Sequence, residues 1–421
     1  MSTNQPAPAE SALQNVRAEW VPSSYDSAGI PRPPTDPSWN RFGDYIQSHP
    51  GWSGDANVES DPPTGQVDPV DHFRGAEEHD LALQWWLQRF YVDSNGNAND
   101  PIGELINYDG SSKDPVHEVL IRKETDEGGA DDAGFRTYWY GSGCRPSSGT
   151  APGDPSSSMP IMAEAGYACE RVRQHIIHQP ADGTTLDIAS TSANDTMDVT
   201  IESEGASTTE TVTLNGTTTV TTTESFSDID AIWLASEPEG DITVKDDSGT
   251  DLLEEPLTGT NTDVVDGDRG IPPLGSGSHA SAIGTAPENY IFLGTSSSYG
   301  GGALAESSAA DRVHTLDLSI EVDITREPRQ STRRQSIDMG DRTVSVEADL
   351  AGPYETAKQN QRYYTSNEGD LVYTYPDGDV TVVDAQPADI DDVDFDGGDA
   401  NLIYGVTLEG HGDPAITASH N

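Results

Sequence analysis

The residues best suited by type and spacing to do chemistry are three aspartates near the end of the chain. Asp392-Val-Asp-Phe-Asp-Gly397 alternates carboxylates ahead of a glycine, as an EF-hand-type loop begins, so Asp392, Asp394 and Asp396 are candidate Ca2+ ligands. The twelfth loop position, where a bidentate glutamate belongs, is Ile403. Solvated loops of an acidic chain produce the same spacing, and that reading stays open beside calcium. His175 and His178 lie in a segment that reads as a strand, which sends them to opposite faces and prevents a shared metal. Gly-x-Ser-x-Gly, His-Glu-x-x-His and Gly-x-x-x-x-Gly-Lys are all absent. Gly141-Ser-Gly143 and Ser298-Tyr-Gly-Gly-Gly302 do not stand between a strand and a helix, as phosphate cradling requires. Carboxylate pairs are too numerous to single out a glycosidase couple. The expectation is a protein that is not an enzyme and that takes no cofactor beyond the calcium candidate.

A second constellation is basic. Arg326, Arg329, Arg333, Arg334 and Arg342 put five of the chain's 18 arginines into a short stretch. They either pair with acidic neighbours inside one subunit or hold carboxylates of the next, since guanidinium forks grip carboxylates with bidentate geometry. The second reading makes them candidate inter-subunit contacts and favours an assembling protein. The surrounding composition is extreme: 73 Asp and Glu against 22 Lys and Arg, a formal charge of −51, with 4 Lys in the 22. At ordinary ionic strength the Debye length is ~8 Å and such a surface repels itself; in molar salt it falls to ~3 Å and the burden disappears. The expected source is an extreme halophile or one of its viruses. Disorder is excluded by 7 Trp, 15 Tyr and long Val/Ile/Thr runs. Binding of nucleic acid through a broad basic face is excluded by the charge.

The elements that must position these residues read mostly as β. Residues 1–75, rich in Pro, Gly and Asp with Trp20, Trp39 and Trp52, suggest an arm of extended loops. Gly75 to Tyr91 has Leu83, Trp86, Leu87 and Phe90 at three- and four-residue steps behind Glu77, Glu78 and Asp80, which predicts a helix. His117–Arg122, Phe135–Tyr140 and Cys169–His178 predict strands, and 141–158 is loop by composition. Cys144 and Cys169 flank that stretch; they are either one disulfide or two unrelated thiols. Residues 181–262 change character, with Lys245 as their one basic residue and alternations at Met197–Ile201, Thr211–Leu214, Ala231–Leu234 and Asp241–Val244 between Asn-Gly, Glu-Gly and Ser-Gly turns. That pattern predicts an inserted Ig-like sandwich. Beyond it, Ala303–Ala310 and Pro353–Tyr364 suggest helical turns. Leu316–Ile324 and Arg342–Leu350 predict strands, Leu371–Tyr375 and Val380–Val383 a hairpin through Asp377-Gly378, and Leu402–Leu408 a last strand. The N-terminus shows no secretion signal and no run approaches a membrane span, so a product made in a host cytoplasm is expected.

Two stretches carry a family resemblance. Leu318-Ser-Ile-Glu-Val-Asp-Ile-Thr-Arg-Glu-Pro328, followed by Gly340-Asp-Arg-Thr-Val-Ser-Val-Glu-Ala-Asp-Leu350 and by the Tyr363–Asp384 helix end and hairpin, resembles the closing strands of tail tube proteins of long-tailed viruses. Glu210-Thr-Val-Thr-Leu-Asn-Gly216 and the run from Val220 to Trp233 are similar to Ig-like modules of virion proteins. The resemblance implies a mainly β fold, a tail-tube-type β-sandwich or barrel with a flanking α-helix. It divides the chain into an arm (1–75), a first core part (76–180), the insert (181–262) and a second core part (263–421). It implies a virion tail subunit of a virus infecting a halophilic archaeon, forming hexameric rings, or trimers if the core is tandem. These would stack on themselves and on other tail proteins into a tube that DNA traverses without specific binding. A major capsid or decoration protein, and a carbohydrate-binding or adhesive surface module, remain open alternatives.

Overall fold

The computed structural model describes residues 16–25, 29–33, 39–41, 51–55, 58–60, 72–74, 78–86, 101–108, 115–125, 134–151, 162–180, 183–203, 207–260, 267–273, 288–293, 312–328, 334–352, 367–374, 380–396, 402–410 and 416–420. These residues are mainly β, every strand pair is antiparallel, and one short helix, Pro101–Asn107, accompanies them. The organising element is the 16-residue strand Phe135–Thr150. Its first half lies between His117–Thr125 and Arg171–His178, with Phe135 opposite Thr125 and His178. Its second half has left those neighbours and pairs instead with Met162–Cys169 and, through Ser148–Thr150, with Arg312–Pro328. One strand thus belongs to two sheets. The change of partners falls at register shifts between Gly141 and Cys144 and between Pro146 and Ser148, with Gly143 in the left-handed region at φ 64°. Cys144 and Cys169 form a disulfide at this corner. Closing a loop with a sequence separation of 25 contributes roughly 3.5 kcal/mol in the chain-entropy account.

From this strand the first sheet continues through His117–Thr125 to Val16–Pro22 and then Asn40–Arg41. Residues expected as an arm are therefore part of the body, because Val16–Pro22 finds a full-length partner and buries Ala18 and Trp20. The second sheet continues one way through Met162–Cys169 to Glu78–Trp86 and Gly51–Asp55, and the other way through the hairpin Arg312–Pro328/Gln335–Gly352 to Leu402–Gly410, Val380–Asp396, Asn367–Thr374 and Glu288–Leu293. The helix expected over 75–91 is a strand over Glu78–Trp86. Leu81, Leu83 and Trp85, an alternating set within the same sequence, are each 1% exposed, and all nine residues pair or flank pairs with Met162–Cys169. The loop expected from residue 141 is strand as far as Thr150. Its small residues serve close packing: a Cβ on Gly149 would come within 2.9 Å of Leu105 Cδ1, so the helix rests directly on strand backbone. The helical turns expected at 303–310 and 353–364 lie outside the described residues.

The segment from Asp187 to Ile271 adds two small sheets. Val220–Thr221, Asp187–Ser190 and Ile242–Lys245 form one; Thr209–Thr213, Asp198–Glu202, Ala231–Leu234 and Gly270–Ile271 form the other. Alternation fills the space between them with Ile188, Ile242 and Val244 from the first, Val199, Ile201, Ile232 and Leu234 from the second, and Phe226, all fully buried. The last strand, Gly270–Ile271, comes from beyond residue 262, in the span assigned to the second core part. This core is continuous with the main body, because Val21, Trp39, Leu120, Tyr138, Tyr140 and Ile177 belong to the same buried cluster. Trp39 Nε1 also donates to the Pro273 carbonyl at 3.1 Å.

The junction is fastened by charge as well. Asp230, 2% exposed, accepts from Arg122 Nη1 at 2.6 Å, Arg136 Nη1 at 2.7 Å and the Tyr138 hydroxyl at 3.1 Å. Arg122, Arg136 and Tyr138 come from neighbouring strands of the first sheet and Asp230 from the inserted segment, so the pairing is long-range. Burial first, then the Asp230 charge, pushes the Tyr138 hydroxyl well above its ordinary range, which keeps it a donor.

Candidate functional site

The structure separates the arginines grouped by sequence. Arg326 donates to the Asp80 carboxylate and, at 3.4 Å, to the His79 carbonyl. Arg342 Nη1 reaches the Leu105 and Ile106 carbonyls at 2.7 and 2.6 Å, satisfying acceptors at the C-terminal end of the helix. Arg334, 4% exposed, donates to Ser142 Oγ at 3.5 Å. These three therefore act within the chain, the first of the two readings of the cluster; Arg329 and Arg333 lie outside the described residues. Asp392, Asp394 and Asp396 sit in the strand Val380–Asp396, opposite Thr407, Gly405 and Ile403, where a calcium loop had been expected. Extended backbone at about 3.3 Å per residue cannot wrap around an ion as a loop does. Among the described residues, no group of three or more His, Cys, Asp and Glu converges as a metal site. His175 and His178 do face apart: His175 is buried near Asp268, and His178 meets Glu254 at 2.7 Å.

A different set of arginines does converge. Arg32, Arg171, Arg173, Arg269 and Arg334 line one small cleft together with Tyr140, Ser142, Trp233, Gly267, Asp268 and Gly270. Each wall has its own origin. Arg171 and Arg173 are two apart on a strand, hence on one face. Arg32 comes from the short pair Ser24–Tyr25/Pro31–Arg32, held by Ser142 Oγ donating to the Pro31 carbonyl at 3.2 Å. Asp268 and Arg269 come from the chain leaving the inserted segment, and Arg334 immediately precedes the strand Gln335–Gly352. The aromatic wall is rigid: Tyr140 meets Trp233 edge to face, with centroids 6.0 Å apart, and the Arg269 guanidinium lies over the Trp233 ring at 4.4 Å. Arg269 Nε and Nη2 also donate to the Leu234 and Ala235 carbonyls at 2.7 and 2.8 Å.

Acidic groups at the rim and floor set the electrostatics. Arg32 pairs with Glu237 at 2.6 Å and Arg173 with Asp268 at 2.6 Å. Burial opposes ionisation of Asp268, but the Arg173 charge, reinforced by His175 and by the Gly270 N–H, prevails and brings its carboxyl from 3.8 down to about 2. His175 moves down as well, because its burial outweighs the Asp268 charge. Beneath Tyr140, fully buried Glu118 accepts from the Tyr140 hydroxyl, from Ser23 Oγ at 2.7 Å and from Gly143 N at 3.4 Å. Burial nevertheless raises its carboxyl above the usual range. The arrangement holds concentrated positive charge against an aromatic wall, with the Tyr140 and Ser142 hydroxyls in the same lining.

No family model matches the chain, and no curated protein matches it. Among solved structures, a chain of the anti-feeding prophage (AFP) baseplate, from a 6-fold symmetrised cryo-EM structure, is similar over 41% of this chain and 97% of that one, with 14% identity and a TM-score of 0.25.

Proposed function

We propose that this chain is a virion structural protein and, more specifically, a tail tube subunit that stacks in rings around a channel for DNA. The observation that carries the proposal is the outer face of the long hairpin. Its strands, Arg312–Pro328 and Gln335–Gly352, have 17 and 18 residues, so each spans roughly 55 Å, about twice or more the usual strand. One face is turned into the body by Leu318, Ile320, Val322, Ile337, Met339 and Val344. The other exposes Asp317, Glu321, Asp323, Glu327, Asp338, Asp341 and Glu347, and among the described residues no Lys or Arg is exposed on it. A polyanion moving along such a surface is repelled at every point and held at none. The sequence resemblance to tail tube proteins, and sheet edges able to take up strands of a neighbour, support the same reading.

On this reading the subunit is not catalytic, assembles with further copies in six-membered rings, or in trimers if its core is tandem, and meets other tail proteins at the ends of the tube. Molar salt screens the carboxylates between copies, in keeping with a virus of a halophilic archaeon. Negative-stain electron microscopy in about 2–3 M salt, where the charge is screened, tests the proposal. Stacked rings or hollow tubes are expected; folded, dispersed monomers overturn it, and closed shells point to a capsid component instead.

A further inference from the structure

We infer that the arginine-lined cleft is an oxyanion-binding site, which takes a carboxylate, phosphate or sulfate group between the guanidinium groups of Arg32, Arg171, Arg173, Arg269 and Arg334. This goes beyond the tail reading and does not depend on it.

Three observations carry the inference. The first is convergence. A chain with a formal charge of −51 gathers five of its 18 arginines around one concavity, from segments as far apart as residues 32 and 334. Like charges brought together oppose folding; Asp268 in the lining and Glu237 beside Arg32 offset that cost, and guanidinium groups make up much of the wall that results. The second is burial. The side chains of Arg32 and Arg173 are 12% and 13% exposed and Arg334 is 4% exposed, so their charge acts through protein more than through water. The third is shape. The space open to a solvent molecule is only about 20 Å³, so an oxyanion group would seat at the mouth of the cleft, against its guanidinium groups, and a helix or a duplex could not enter.

The inference does not need an idle arginine. Each guanidinium carries five N–H donors in a planar fork, so a group already bonded to Glu237, Asp268 or a carbonyl still supplies positive potential at close range. The fork matches the paired oxygens of carboxylate, phosphate and sulfate, and a spherical halide cannot use it. Arg269 over Trp233 and the Tyr140 edge fix the aromatic wall, so little ordering remains when the anion arrives.

The anion has two sources, a free inorganic ion or an acidic side chain of a second copy, and the experiment separates them. The full chain is titrated with sodium phosphate, and separately with sodium acetate, at constant ionic strength balanced by sodium chloride, by calorimetry and by Trp fluorescence with W233F as reference. R171A and the milder pair R171K/R334K, which keeps charge and removes forks, are measured alongside after their circular dichroism shows a native fold. Saturable phosphate or acetate binding is expected, weakened about tenfold or more in both variants. Self-association is then followed by sedimentation. Dispersal of assemblies by phosphate, together with weaker association of the variants, assigns the oxyanion to a second copy. Phosphate binding that leaves association unchanged assigns it to a free ion. The inference is overturned by a wild type that binds neither ligand, or by native-like variants that bind as tightly as wild type.

Discussion

The hairpin face and the inserted-segment junction handle charge in opposite ways. On the hairpin, Asp317 stands directly opposite Glu347, and among the described residues carboxylates continue along the exposed face without an exposed Lys or Arg. Burial, and then the Glu347 charge, raises the Asp317 carboxyl above its usual range. Among the described residues no Lys or Arg neutralises this face, and screening there falls to dissolved cations. At the junction Asp230 is enclosed by Arg122, Arg136 and Tyr138, so neutralisation is built from side chains and water has little part in it. Charge that must be screened makes stability a property of the solvent. Charge that is paired makes it a property of the sequence, and the two regions should therefore separate cleanly in their response to salt.

The sharpest way to break the comparison is D230A. Removing the carboxylate leaves two buried guanidinium groups without it, and a loss of about 3–5 kcal/mol is expected. Denaturant unfolding should show this loss nearly unchanged between low and molar salt; a penalty that vanishes in salt would place the junction with the hairpin face. A smaller effect comes from the cleft. Because the folded pKa of Asp268 is about 2 against an ordinary 3.8, its stabilisation is complete above 3.8 and is lost as pH falls towards 2. The stability difference between wild type and D268N should accordingly shrink by about 2 kcal/mol across that window. Parallel curves for the two proteins would contradict the assignment. The smallest effect belongs to the hairpin. D317N and E347Q are each expected to gain about 0.2–1 kcal/mol at low ionic strength by relieving like charges placed opposite one another. Melting curves in about 2–3 M salt, where the Debye length is a few ångströms, should show no such gain.

The same contrast decides what could be read from the chain. The strands of 187–271 were legible: Ala231–Leu234 has the expected bounds, and those at 198–202, 209–213 and 242–245 fall within a residue or two of their alternations. They are short, exposed on one side and closed by local turns such as that at Gly216, φ 60°. Glu78–Trp86 was not legible, because Leu83, Trp86 and Leu87 satisfy the helical period while Leu81, Leu83 and Trp85 satisfy the strand period. The choice was made by a partner, Met162–Cys169, distant in sequence. Residues 141–150 read as loop because glycine and serine there answer to the helix lying on Gly149 and to the corner at Gly143, which are tertiary demands. Pro101 ahead of Ile102, Leu105 and Ile106 was the available signal for the helix, with proline at its first position. The cleft left almost no local trace. Arg171-Val-Arg173 carries two of its members at a strand spacing, and the density of arginines at 326–342 holds one more, Arg334, while Arg326 and Arg342 fasten the hairpin to Asp80 and the helix.

The strand Phe135–Thr150 also has a mechanical meaning. A pull on Arg171–His178 along its own axis loads all eight paired positions from Phe135/His178 to Ser142/Arg171 at once, in shear, whereas a pull across it peels them singly. Tension that survives this ladder travels down the same strand, passes the covalent link between Cys144 and Cys169, and enters the second sheet. The body should therefore stretch as a single beam welded at its knee, and not as two plates swinging on a hinge.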